Sequence, residues 1–358
     1  MKRTLSQLLG LIFQSIIYWS ISFCVFIFIR YFALNEEEGL TIDPKFDVPI
    51  TTWLEYGVIL GVIVGFFYAI NEFVFDKYVT PRVYLGLSIL LKTLFYLLLL
   101  IVSLSFLVSL LEYTVDRDLP NEKGWWRTNP LFWLMAAYFW LSSLIFSFIK
   151  MAIERFGRGL FFKMLIGKYR RPREEKKIFM FLDLKSSTTT AEKLGHFKYS
   201  QFIQDCFIDL NAIINKYDAE IYQYVGDEAV LTWNYKNGLE DNRCVNIYFD
   251  FRRRLLNKKD YYLDKYGVLP EFKAGMHGGN LMMAEVGTIK KEMAYHGDVI
   301  NTTARIQGEC NKYGEQLLMS EALIKDLNLD SSFVTNKMGS VILKGKNEEV
   351  MIYSLNLS

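Results

Sequence analysis

IFMFLDLKSSTTTAEKLG (residues 178–195) and IYQYVGDEAVLTW (residues 221–233) are the two stretches that decide how this chain folds. Each carries a short apolar run of strand character that ends on an acid, Asp183 in the first and Asp227 in the second, forty-four residues apart. Further on, NTTAR places Asn301 and Arg305 four residues apart, one helical turn, so both side chains leave the same helix face. Carboxylates at strand ends suit hard cations such as Mg²⁺, and an amide beside a guanidinium suits a phosphate in its transition state. The four residues together point to phosphoryl chemistry on a nucleotide.

Outward from these motifs, the soluble half reads as alternating strands and helices. IFMFLDL is a buried strand, and Phe197, Phe202, Phe207, Leu210, Ile213 and Ile214 recur at helical spacing across 196–217. IYQYVG and EAVLTW are two strands joined by a tight turn at Gly226-Asp227, and a long helix is expected over 240–265. FKAGMHGG and LMMAEVG read as a second hairpin around the glycine pair Gly278-Gly279. A helix over 298–313 and late strands in QLLMS, SVILKG and EVMIYSL complete the half. The order β, α, β, β, α, β fits an α+β, ferredoxin-like antiparallel sheet with covering helices.

The chain has 358 residues, 51% of them apolar, enough for two domains. The long apolar runs lie before residue 155 and most of the charge after it. Four segments reach the roughly 20 apolar residues that cross a bilayer: 8–32, 56–74, 85–111 and 131–153. They make residues 1–155 a four-helix transmembrane domain. The first is long and lacks a small-residue cleavage site, so it reads as an anchor. Lys2, Arg3, Lys77, Arg82 and the run KYRRPREEKK flank one side, whereas the other loops are acidic, with Glu36, Glu37, Glu38, Asp43, Asp47, Glu112, Asp116, Asp118 and Glu122. The positive-inside rule then expects a multi-pass protein of the inner (plasma) membrane with both termini cytoplasmic.

Trp125, Trp126 and Trp133 read as interfacial anchors. Asn71 and Lys92 are polar exceptions within spans. Lys92 either snorkels or marks a sensing or transport function. Residues 156–176 form a helical stalk and basic linker stopped at Pro172, either a transmitter of movement or a plain anchor with a solvated charge run. The catalytic half is expected over 177–358. A net charge of +2 is accounted for by the membrane flanks and does not call for nucleic acid. Cys24, Cys206, Cys244 and Cys310 fit neither zinc spacing nor a disulfide framework.

From about Ile178 to Leu355, half the chain, the sequence resembles a class III nucleotidyl cyclase catalytic domain. FLDL-K-SST resembles the first metal motif, VGDE the second, FKAGMHGG…AEVG the strand pair after it, GDVINTTAR the transition-state helix and LKGK the phosphate lysine. The resemblance implies two Mg²⁺ or Mn²⁺ ions per active site on Asp183, Asp227 and the carbonyl of Leu184. It also implies Arg305 at the α-phosphate, Asn301 at the ribose and Lys346 at the outer phosphates. Backbone N–H groups around Lys185, Ser186, Ser187 and Thr188 would cradle phosphate at a helix start. Because one chain carries both residue sets, a homodimer with two equivalent sites is implied.

At the positions that select the base in the family stand Gln223 and Ala294, which depart from the common adenylate and guanylate pairs. Glutamine both donates and accepts, and Ala294 offers nothing, so ATP is the favoured substrate with guanylate or pyrimidine nucleotides as alternatives. Ser187 replaces a frequent phenylalanine. A catalytically silent nucleotide-binding signalling module is the rival from another class, and a channel or transporter is disfavoured by the scarcity of polar residues in the spans. His196, His277 and His296 lack neighbouring ligands at metal spacing and read as structural.

Overall fold

A computed structural model describes residues 2–32, 49–79, 83–84, 87, 91–92, 94–103, 105–106, 127, 130–156, 158–289, 292–342 and 349–358. The chain divides into two compact units, Met1–Phe156 and Gly157–Ser358.

The first unit is helical: α1 (Lys2–Phe32), α2 (Ile50–Val74), α3 (Leu94–Ser103) and α4 (Pro130–Phe156). Among the described residues, Leu8–Phe32, Ile50–Val74 and Phe132–Lys150 are long and apolar enough to cross a membrane. Of the span expected over 85–111, the structure shows the apolar helix α3, and much of the remainder lies outside the described residues, as do Trp125 and Trp126. Gly57, Gly61 and Gly65 repeat every fourth residue along α2 and turn toward α1. A Cβ at Gly61 would collide with the Ser20 backbone, and one at Gly65 would stand 2.7 Å from the Ile16 Cα. Small residues at this spacing let two helix backbones approach closely and pack against each other.

Glu72 is buried within the same unit. Its carboxylate accepts a hydrogen bond from Tyr96 Oη at 2.6 Å and pairs with Lys92 at 3.1 Å and Lys150 at 2.9 Å. Lys92 therefore turns inward to a buried acid instead of snorkelling, because an unpaired carboxylate in an apolar bundle is costly. The Tyr96 ring stacks on Tyr68 at 4.3 Å, and Asn71, also buried, faces the bundle.

The second unit begins with α5 (Arg158–Leu165) and β1 (Arg173–Leu184), followed by α6 (Ser187–Ile214), β2 (Glu220–Val225) and β3 (Glu228–Asn234). Helices α7 (Tyr235–Leu239), α8 (Arg243–Asn257) and α9 (Lys259–Tyr266) precede β4 (Phe272–Val286) and β5 (Glu292–His296). Then come α10 (Asp298–Gly308), α11 (Cys310–Tyr313), β6 (Leu317–Ser320), α12 (Glu321–Asp326), β7 (Phe333–Ile342) and β8 (Glu349–Leu357). One sheet runs β2-β3-β1-β4-β6-β8-β7, with β5 added to β4. Every pairing is antiparallel except β4 with β6. Side chains alternate across β1 as a strand demands. Ile178, Met180 and Leu182 join Phe202, Leu210 and Phe251 in the main core, whereas Phe179 and Phe181 pack on the other face with Val230, Leu281 and Val299.

Several expectations change. The glycine pair does not make a hairpin: β4 runs unbroken from Phe272 to Val286. Its glycines thin the strand so that neighbours can close on both faces. A Cβ at Gly278 would stand 2.6 Å from the Tyr235 ring, one at Gly279 3.0 Å from Val299 Cγ2, and one at Gly275 would collide with the Gln307 backbone. Second, β1 starts at Arg173, inside the expected linker, where its charged residues pair with the far end of β4. Third, the helix expected over 240–265 is broken into α8 and α9 at Lys258. The helix expected to begin at His196 is the second part of α6, which kinks at Gly195 (φ 71°).

All four cysteines are free, and Cys206, Cys244 and Cys310 are buried. His277 on β4 is partly buried with Nδ1 2.7 Å from Ser320 Oγ. Burial pushes its pKa down to about 4, against the opposing charge of Asp298. An exposed imidazole titrates near 6.5, so folding favours the neutral ring. The His277 contribution is complete above pH ~6.5 and is lost as pH falls toward 4. His277→Gln should therefore shrink the drop in melting temperature between pH 7 and pH 4.5, measured by differential scanning fluorimetry. An equal drop in both proteins would contradict this assignment.

Candidate active site

The site is assembled by strand register. β1 ends on Asp183 and Leu184, and Asp183 stands opposite Glu228 on β3 and Lys273 on β4. Asp227 occupies the turn immediately before Glu228, made possible by Gly226 at φ 63°, a conformation glycine enters without penalty. Two acids forty-four residues apart in sequence thus meet at one end of the sheet.

Their surroundings are chemically uneven. Asp183 Oδ2 accepts from Gln307 Nε2 at 3.0 Å and pairs with Lys273 Nζ at 3.1 Å. Asp227 Oδ2 is buried with no hydrogen-bond partner. Burial and the charges of Asp183 and Asp227 push Glu228 up to about 7, with Lys273 acting the other way. The Tyr199 phenol is raised by burial and by Asp227 and Asp183, while the Ser187 side chain hydrogen-bonds it. A buried carboxylate oxygen without a donor is costly unless a cation meets it. The donor set of hard oxygens matches a divalent ion of the Mg²⁺ class, which binds through one or two carboxylates and completes its shell with water and substrate phosphates. No group of three acidic, His or Cys side chains forms a metal cage among the described residues. Asp183 and Asp227 would hold the ion.

Leu184 closes β1 with its side chain buried. Lys185 pairs with Glu271 at 3.3 Å, and Ser186 adopts φ 55° as it hands the chain into α6. The first turn of a helix leaves N–H groups without intrahelical acceptors, here those of Ser187 and Thr188. Thr188 is exposed and Ser187 partly so.

Helix α10 packs on β4 and β1. Its buried face carries Val299, Thr302, Thr303, Ile306 and Gln307; Asn301 is exposed and Arg305 partly exposed. Two residues turn an α-helix by about 200°, so Gln307 points to Asp183 of its own chain while Arg305 and Asn301 leave the opposite side. Gln223 is exposed on β2, and Ala294 on β5 is opposite Ala284. Their neighbours Tyr222 and Tyr295 meet at 4.7 Å between ring centroids, and both contact Phe179. The strands of the two positions expected to select the base are thereby brought together. Lys346 lies outside the described residues.

Lys273, Gln307, Glu228 and Tyr199 were not legible as site residues. The available signals were a lysine within the otherwise uncharged strand FKAGMHGG and a glutamine next to Ile306 on the buried face of α10.

Residues 170–357 match the family described as the adenylate and guanylate cyclase catalytic domain. "Adenylate cyclase 2" of Rhizobium meliloti (strain 1021) is 32% identical over 208 residues, 58% of this chain and 57% of that protein. "Receptor-type guanylate cyclase gcy-4" of Caenorhabditis elegans is 30% identical over 171 residues, 46% of this chain and 15% of that protein. The chain therefore spans little more than half the length of the first relative and a small part of the second. The solved structure of a bacterial light-regulated adenylyl cyclase gives a TM-score of 0.53 at 16% identity, over 64% of this chain and 66% of that one, a likeness of fold. With the family match covering more than half of its residues, the chain belongs to the adenylate and guanylate cyclase catalytic-domain family.

Proposed function

We propose that the protein is a membrane-bound nucleotidyl cyclase that converts ATP to 3′,5′-cyclic AMP and pyrophosphate in a homodimer. The observation that carries this reading is the meeting of Asp183 with Asp227, whose buried Oδ2 has no partner, inside a cyclase-family domain. Divalent cations, which this class uses, supply charge neutralisation at the attacking oxygen and the phosphates when bound. The ribose 3′-oxygen forms the new bond to the α-phosphorus, its proton is lost, and the bond to pyrophosphate breaks.

The chain's own residues do the rest. N–H groups at the start of α6 would bind phosphate, Asn301 would orient the ribose, and Lys346 would meet the outer phosphates. Arg305 would stabilise charge that grows on the α-phosphate, the largest contribution in most such reactions. Asn301 and Arg305 leave α10 on the side away from their own Asp183. That geometry favours their use at the site of a second copy related by a two-fold axis. Gln223 would read the base, beside Ala294. ATP is favoured because the relative matched over most of this chain is an adenylate cyclase, and GTP is the runner-up because a guanylate cyclase matches at similar identity. The apolar helices of residues 1–155 would anchor the enzyme in the plasma membrane with both termini in the cytoplasm, and 156–176 would join them to the catalytic domain.

Purified full-length protein with Mn²⁺ or Mg²⁺ and ATP, GTP, CTP or UTP, read by mass spectrometry, should yield a cyclic product, cyclic AMP foremost. Asp227→Ala should abolish it. Arg305→Ala should lower kcat by roughly 10²–10³, as loss of a transition-state donor does elsewhere. Absence of product from every nucleotide would favour a silent nucleotide-binding module.

A further inference from the structure

Gln307 lies on the buried face of α10 with Thr302, Thr303 and Ile306. It is 8% exposed and donates through Nε2 to Asp183 Oδ2 at 3.0 Å. An ionised carboxylate only accepts hydrogen bonds, so the amide nitrogen must face it. The glutamine backbone seats directly over Gly275, where any Cβ would collide with its N, Cα and Cβ. Lys273 Nζ meets the same oxygen at 3.1 Å. Two donors on Oδ2 fix the carboxylate's rotamer and leave Oδ1 for a ligand.

We infer that Gln307 is a positioning residue: it aims the Asp183 carboxylate at its metal ion and ties that carboxylate to the helix bearing Asn301 and Arg305. The inference rests on the cyclase reading above and adds to it a mechanical link. If Asn301 and Arg305 serve the nucleotide of the second subunit, the Gln307 hydrogen bond joins the metal acid of one site to the transition-state residues of the other. Groups that orient a metal ligand are commonly worth 10–100-fold in metal affinity.

The test is a Mn²⁺ titration of the full-length protein in detergent, without nucleotide, following the free-ion signal by electron paramagnetic resonance. Gln307→Met keeps the length of the side chain and removes the donor. It should weaken Mn²⁺ binding by roughly 10–100-fold while the melting temperature stays near that of the parent protein. In turnover, its apparent KM for Mn²⁺ should rise, with most of kcat recovered at saturating metal, a rescue that a merely structural defect would not show. Should the Met variant fail to fold, Gln307→Asn, one methylene too short to reach, carries the same prediction. Unchanged Mn²⁺ affinity in a folded variant, with the parent protein binding metal and turning over, overturns the role of Gln307 alone. A parent protein that binds no Mn²⁺ yet forms cyclic product overturns the role of Gln307 alone, and one that neither binds Mn²⁺ nor forms product overturns the cyclase reading as well.

Discussion

The antiparallel register of β1 against β3 is the constraint on which the rest of the site depends. It sets Asp183 opposite Glu228 and therefore beside Asp227 in the adjoining turn. A slip of one residue would send every side chain of β1 to the other face of the sheet. Phe179 and Phe181 would then enter the core now filled by Ile178, Met180 and Leu182. The hydrophobic alternation that builds the core is thus the same feature that gathers the acids. The concentration of negative charge is visible in Glu228, which burial and its two acidic neighbours hold near 7.

Much of this was legible in the sequence because it is local. Apolar runs ending on Asp183 and Asp227, a tight turn at Gly226-Asp227 and the period of 196–217 all reflect geometry within a few residues. What escaped depends on contacts between distant segments. Gly278 and Gly279 look like turn residues in isolation. In the fold they are places where Tyr235 and Val299 approach a continuous strand from opposite faces. The parallel pairing of β4 with β6 and the reach of Gln307 to Asp183 are invisible to periodicity for the same reason. The sequence showed Asn301 and Arg305 on one helix face. It could not show that this face is turned away from the acids of the same chain.

In the first unit the apolar helices were readable from composition, whereas their packing was not. Glycines at 57, 61 and 65 are sparse in an apolar run, yet they let α2 lie backbone to backbone on α1. Glu72 attracts little notice near the end of α2, which closes at Val74. In the fold it gathers Lys92, Tyr96 and Lys150 from other parts of the unit. Burying that carboxylate makes sense only because cations and a phenol meet it, and removing one partner would leave charge uncompensated in an apolar setting.

In the proposed two-fold dimer, the acids and the transition-state residues of one chain act at different sites. Subunit mixing tests this arrangement most directly. Asp227→Ala and Arg305→Ala proteins, each inactive or nearly so alone, are co-expressed in equal amounts and assayed for cyclic nucleotide. Random pairing makes half the dimers mixed, each with one intact site, so about a quarter of parental activity should return. Activity no greater than the sum of the two variants alone, in a sample shown to contain mixed dimers, would rule out sites shared between the two chains.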